Sequence, residues 1–238
     1  MSVGPAPAFG IRRSARARRL RLRILPSGEV VVTLPTRAPE RLAAELVREK
    51  SAWIARHQLR LGAVRARLDE RPGLDRGRVL SVRGRPLEVG LVPTAGERTH
   101  VVEDPIAGRL SVHLDPGDER SASSVIEVWL RAEARREITR LIERHAPAIG
   151  VTPTRSVVRD QSSRWGSASR RGTVSFSWRL VLAPPEVLEY VVVHELAHLR
   201  DLSHSDRFWR LVGTHSPHVA ASRRWLREHE AELRYALD

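Results

Sequence analysis

An α+β fold is expected from three observations. Strand-type alternation dominates the first half of the chain. One long helical period occupies residues 123–145, and the region beyond residue 182 reads as helix. Clusters of Pro and Gly separate these segments. At 238 residues the chain suits one large domain or two small ones.

Each element has a local reason. Residues 1–10 are rich in Pro and Ala and lack an apolar stretch, which argues against a secretory signal. Arg19, Arg21 and Arg23 alternate with Leu20, Leu22 and Ile24, the period of a half-buried strand. Pro26, Ser27 and Gly28 supply a turn, and residues 29–34 return, so a hairpin with a basic outer face is predicted. Pro35 and Pro39 bracket a loop. Residues 40–61 carry a helical stripe of Leu42, Leu46, Trp53 and Ile54, with Glu45 and Glu49 set to face nearby bases. Arg71-Pro72-Gly73 breaks the chain. Strand-like runs follow at residues 79–82, 87–92, 100–103 and 110–114, and an antiparallel sheet is expected from them. In the helix at 123–145, Val125, Trp129, Ala132, Arg136 and Leu141 mark the faces, and Pro147, Gly150 and Pro153 end it. Residues 155–182 are again strand-rich. The expected division is a flexible basic arm (1–18), a β-rich portion with one helix (19–117) and a catalytic portion (118–238).

Composition excludes several functions. There is no cysteine, so disulfide scaffolds, thiolate zinc fingers, iron–sulfur clusters and thiol nucleophiles are out. No run approaches 18 apolar residues, so no membrane contact is expected, and a soluble cytoplasmic protein is the expectation. The net charge is +13, and Lys50 is the sole lysine among 41 basic residues. So many arginines look more like the codon usage of a GC-rich genome than like selection for their chemistry, and the functional alternative is a polyanionic partner, a nucleotide or nucleic acid.

The chemistry is concentrated at His194-Glu195-Leu196-Ala197-His198. On a helix, histidines at i and i+4 project one turn apart from one face and can share a zinc ion at about 2.0–2.1 Å. Glu195, beside the first ligand, is placed to deprotonate a zinc-bound water. Pro184 and Pro185 suit the helix start, and Glu186 and Glu189 suit the positive end of its dipole. Leu188, Val192, Leu196 and Leu199 form an apolar stripe opposite the histidines. A catalytic zinc needs a third protein ligand. His204 is favoured, because Ser203-x-x-Asp206 reads as a capping box that starts a new helix after a turn. His215, His218, Asp201, Glu228 and Glu230 are the rivals. The six-residue spacing also occurs in metzincins, but Asp201 stands where their glycine would be and Met1 is the only methionine.

These residues, together with Arg164-Trp165-Gly166-Ser167, the segment from Trp178 to Pro184, His204-Ser205 and Phe208-Trp209, resemble the YgjP-like metallopeptidase family, a relative of the SprT-like and WLM proteins. The strong match covers residues 155–230, and the basic hairpin and helix with Trp53-Ile54 fit more loosely. The resemblance implies a zincin-like core with Zn2+ on His194, His198 and His204, Glu195 as base, and Arg164, Trp165 and Ser167 near the substrate. The family usually has cysteine where this chain has Ala168, and often histidine where it has Asp201.

The implied activity is that of a zinc-dependent hydrolase, a peptidase acting on peptide or protein. Nucleotide pyrophosphohydrolysis at the same metal, or association with nucleic acid, is the alternative. Arg164 suits a carboxylate or phosphate clamp, an oxyanion contact, or a structural ion pair. Trp165 and Tyr190 read mainly as packing, as do Phe208 and Trp209. Residues 172–178 read as a strand with one polar face, a candidate edge for an extended peptide.

Overall fold

In the computed structural model, residues 7–25, 27–96, 98–161 and 164–238 are described. The alternation at residues 19–34 forms the hairpin that it predicts. Strand β1 (Phe9–Ser14) precedes it, and β2 (Arg21–Ile24) pairs antiparallel with β3 (Val30–Pro35). Pro26 of the predicted turn lies outside the described residues. The expected flexible arm is corrected over residues 9–14, because β1 pairs parallel with β3 along its other edge. Val30, Val32 and Leu34 point from β3 into a small core with Ala43, Val47 and Ile54. The helical stretch is two helices, α1 (Arg41–Glu49) and α2 (Ser51–Asp69), which meet at Lys50. Ile54 is buried, whereas Trp53 is 44% exposed and stacks on His57. The predicted single stripe therefore breaks where the helix breaks.

The chain divides into compact units at Glu70/Arg71. A boundary near residue 117 is not found, because the next sheet shares its core with the long helix after it. That sheet comprises β4 (Val79–Val82), β5 (Arg85–Pro93), β6 (His100–Asp104) and β7 (Arg109–Leu114), in the order β4-β5-β7-β6. It is mixed, not antiparallel as expected: β5 and β7 run parallel, and the other pairs run antiparallel. Alternation identifies a strand but carries no information on its neighbour's direction.

Helix α3 (Ala122–Ile149) starts at Ser121, whose side chain accepts the Ser124 N–H. Its buried line runs through Ile126, Leu130, Ala134, Ile138, Leu141, His145 and Ile149, leaving Ala132 and Arg136 outside. Pro147 sits within the last turn. The helix ends at Gly150, which adopts φ 75°, with Gly150 N–H bonded to Pro147 O and Val151 N–H to Ala146 O at 3.0 Å each. This pair of bonds is a Schellman cap, and the left-handed residue is a glycine because a Cβ is disfavoured there.

A third sheet holds β8 (Arg155–Arg159), β9 (Gly166–Ala168) and β10 (Thr173–Ser177) in the order β8-β10-β9. β10 is central, so it is not the open edge that its alternation suggested. Ser175 and Ser177 are buried, so its polar face does not meet solvent. A 3₁₀ turn (Trp178–Leu182) leads into α4 (Pro185–Ala197), followed by α5 (Asp206–His215), α6 (Val219–Glu228) and α7 (Glu230–Arg234).

A partly buried ion cluster ties these layers together. Arg83, in the β4–β5 turn, pairs with Glu133 of α3 and Glu103 of β6. His145 and Arg144 of α3 both reach Glu189 of α4, His145 at 2.8 Å. No described helix is long and apolar enough to cross a membrane.

Candidate metal centre

Helix α4 forms where Pro184 and Pro185 set its entry and Glu186 occupies its first turn. Its apolar residues are buried on almost every side, Val187, Val191 and Val193 as well as Leu188, Val192 and Leu196. The polar side chains at its C-terminal end are therefore held in a rigid frame. His194 and His198 lie one turn apart, with their Nε2 atoms 3.2 Å from each other.

The helix stops at His198, and a short turn brings the chain back. Asp201 organises that turn. Its carboxylate accepts from Ser203 N–H (2.9 Å), Ser203 Oγ (2.7 Å) and Ser205 Oγ (2.6 Å). These bonds, Ser205 first, hold its carboxyl down to about 2. Ser205, not Ser203, caps α5 by accepting the Phe208 N–H. His204 thus precedes the helix, and its Nε2 comes to 3.3 Å from that of His194.

Among the described residues, His194, His198 and His204 are the group of His, Asp or Glu side chains that could hold one metal ion. Nitrogens bound tetrahedrally to zinc at 2.0–2.1 Å are separated by about 3.3 Å. The 3.2 and 3.3 Å spacings match that edge. The donors also fit chemically. His198 Nδ1 lies 3.0 Å from the Asp201 carbonyl, which fixes the proton there and leaves Nε2 with its lone pair. The Nδ1 of His194 is buried and has no partner among the described residues. Burial, with the charges of His198, His204 and Arg223 adding to it, pushes His194 down to about 3. Burial also lowers His198. His194 and His198 are therefore neutral, as ligation requires.

Aromatic rings wall the triad. Phe208, fully buried, stacks on His198 at 4.4 Å and meets His194 and His204 edge-on. Trp209 stacks on His204 at 5.6 Å. These rings fix the imidazoles through packing, so the reading of Phe208 and Trp209 as core is true and incomplete.

Glu195 is 6% exposed. Burial raises its carboxyl to about 7, against the lowering effects of the Arg164 charge and a hydrogen bond from the Ala168 backbone. Strand β9 crosses directly over it. A Cβ on Gly166 would lie 2.6 Å from Glu195 Cγ and Oε1, so only glycine allows this approach.

Arg164, Trp165, Glu195 and His194 border one cleft of about 390 Å³, with Tyr190, Val191, Arg223, Leu226, Arg227 and Glu230. Trp165 is half-buried against the core, under the Arg234 guanidinium at 4.3 Å. Ser167 is not brought to the site. It pairs with Ser175 in the ladder, and strand alternation sends its side chain away from the Glu195 face that Gly166 occupies. His215, His218 and Glu228 do not join the triad; Glu230 reaches the cleft but not the triad. Sequence reasoning missed Gly166, Asp201 as organiser, and Arg223. The pattern Asp201-x-Ser203-x-Ser205 is the one signal that could have exposed the turn.

A family model described as "YgjP-like, metallopeptidase domain" matches residues 18–229. None of the curated proteins matches the chain. Among solved structures, the metallopeptidase zymogen abylysin of Pyrococcus abyssi is similar at 22% identity. The alignment covers 39% of this chain and 95% of that one, with a TM-score of 0.34.

Proposed function

The chain belongs to the YgjP-like metallopeptidase family, and from that premise we propose that it is a zinc-dependent peptidase with a zincin-like catalytic core. In this reading His194, His198 and His204 hold the metal and Glu195 is the general base. The observation that carries it is the convergence of three imidazoles, with the Nε2 atoms of His198 and His204 3.2 and 3.3 Å from that of His194, beside a buried carboxylate.

Bound zinc would supply Lewis acidity, activating a water and polarising the scissile carbonyl. The protein's own groups do the rest. Glu195, drawn toward neutral pKa by burial, takes the proton of the attacking water and returns it to the leaving amine. The Ala168 N–H and the Gly166 approach hold that carboxylate in position. β9 is the outer strand of its sheet and lies over Glu195, so it supplies the edge for an extended peptide that β10 cannot. Arg164 faces the cleft and stabilises negative charge on the substrate.

Elemental analysis after dialysis, on wild type beside His204→Ala, tests the ligand set. One zinc per chain, lost in the variant, is expected. Unchanged zinc in His204→Ala would overturn the three-histidine site.

A second reading has one observation in its favour. The cleft is bordered by Arg164, Arg223 and Arg227, and guanidinium groups bind phosphate as well as carboxylate. The same centre would then hydrolyse a nucleotide phosphoanhydride. Turnover of nucleoside triphosphates with no peptide cleavage by the zinc-loaded protein would favour it.

A further inference from the structure

We propose that the cleft beside His194 and Glu195 is a subsite for an acidic substrate residue, with Arg223 and Arg164 as the groups that select its carboxylate. The inference rests on the peptidase reading for the identity of the substrate.

The cleft has an apolar floor of Val191, Leu226 and the Tyr190 ring, and its rim is cationic. At about 390 Å³ it has room for one residue's side chain with its flanking backbone. Its other carboxylate besides Glu195 is Glu230, which is drawn toward Arg234 at 3.6 Å. The balance left for a ligand is positive.

Arg223 and Arg164 differ from the arginines that are tied to carboxylates of the frame. Arg83, Arg131, Arg136, Arg140 and Arg179 all pair with carboxylates of the protein. Neither Arg164 nor Arg223 forms a salt bridge among the described residues, although the Arg164 charge acts on Glu195, and both are exposed at the cleft. Arg223 is nevertheless held. Its Cζ lies 4.8 Å over the Trp209 ring, and Trp209 stacks on His204. That stack fixes the guanidinium relative to the triad without using its in-plane donors. Such donors are suited to the two oxygens of a carboxylate. A carboxylate seated on the apolar floor loses water on one side, and the guanidinium groups offset that loss.

The test uses the full-length, zinc-loaded protein and two sets of acetylated alanine pentapeptides, one with Glu and one with Gln at each position in turn. Binding is measured calorimetrically in the Glu195→Gln variant, and cleavage is measured in the otherwise unaltered protein. The best Glu peptide is expected to bind about tenfold tighter than its Gln counterpart, a charge-assisted hydrogen bond's worth of preference. Arg223→Gln is expected to bring that ratio close to one, and Arg223→Glu to turn the preference toward Lys peptides. Arg164→Gln, on a residue outside the Arg223–Trp209–His204 stack, gives a second reading should Arg223→Gln fail to fold. Equal binding of Glu and Gln peptides, no binding of either, or an unchanged ratio in both variants overturns the subsite. A Glu preference in binding without any cleavage would leave the subsite standing and sink the peptidase reading; cleavage without the preference would do the reverse.

Discussion

At the residue scale the centre depends on how closely one strand passes one carboxylate. Glu195→Gln should keep its zinc and lose about 10²–10⁴-fold in turnover, the usual weight of a general base. Full activity with normal zinc would remove Glu195 from the mechanism. Gly166→Ala puts a methyl where Glu195 Cγ and Oε1 now sit, so the base must move. Zinc content should be unchanged while kcat falls, and an unaffected kcat would show that the carboxylate has slack. The pH profile has a definite sign. Burial raises the Glu195 carboxyl to about 7, so the proposed base should be lost as pH falls and activity should drop on the acid side. Arg164 favours the ionised form, so Arg164→Gln should move the acidic limb of kcat/KM to higher pH. A limb that stays in place, or moves down, would contradict the assignment. In the metal-free protein the same raised carboxyl means that the folded state holds the extra proton between about 4.5 and 7. Its contribution to stability is present below that window and is lost as pH rises through it. The motif itself was legible because a helix converts spacing into direction. Gly166 was not, because nothing local to a three-residue strand announces what it will pass over.

At the element scale the proposed third ligand, His204, depends on a turn rather than on a helix. Six residues separate His198 from His204, too many for one helix face, and the sequence required a reversal there. Its cap was misplaced by two residues, from Ser203 to Ser205, because both serines bond the same carboxylate and only the folded turn shows which one meets α5. Asp201→Ala removes three hydrogen bonds from that turn while leaving the backbone carbonyl that orients His198. Zinc affinity should weaken about 10–100-fold, as for loss of other groups that orient a ligand. Competition against a chelator measures this, and an unchanged affinity would show that packing against Trp209 alone holds His204. The Arg83 cluster stabilises the frame behind α4. Arg83→Ala would take one cation from Glu133, which keeps Arg136, and would leave Glu103 beside it without its guanidinium, with a cost of about 1–3 kcal/mol. Denaturant unfolding of the metal-free protein measures it, and a loss under 1 kcal/mol would mean that water already reaches the cluster. Apart from β1, hidden in the expected flexible arm, the strands were legible as strands, but their order was not. In all three sheets a parallel pair joins strands distant in sequence, and alternation says nothing about that.

At the scale of the whole molecule, charge is distributed unevenly. Residues 1–70 contain fifteen Lys or Arg against six Asp or Glu, a net +9 out of the chain's +13. Codon usage would spread arginine along the sequence; it does not explain why acids are scarce in the first 70 residues alone. The register sharpens the point. Arg12 and Arg21 both flank Thr33, and Arg23 flanks Val31, so all three lie on the sheet face opposite the buried Val30, Val32 and Leu34. None of the three has an acidic partner among the described residues, and all are exposed. Such a face suits a run of phosphates, and it predicts sequence-independent binding of nucleic acid by the full chain. The observed association constant for duplex DNA should fall steeply with salt, by a logarithmic slope of about −0.9 for each phosphate contacted. A triple variant with Arg12, Arg21 and Arg23 each changed to Gln should flatten that slope by about 2.7 while leaving zinc content and turnover unchanged. Binding that is absent at physiological salt, or a slope indifferent to the three changes, would return the arginines to composition and leave the metal centre as the sole seat of function.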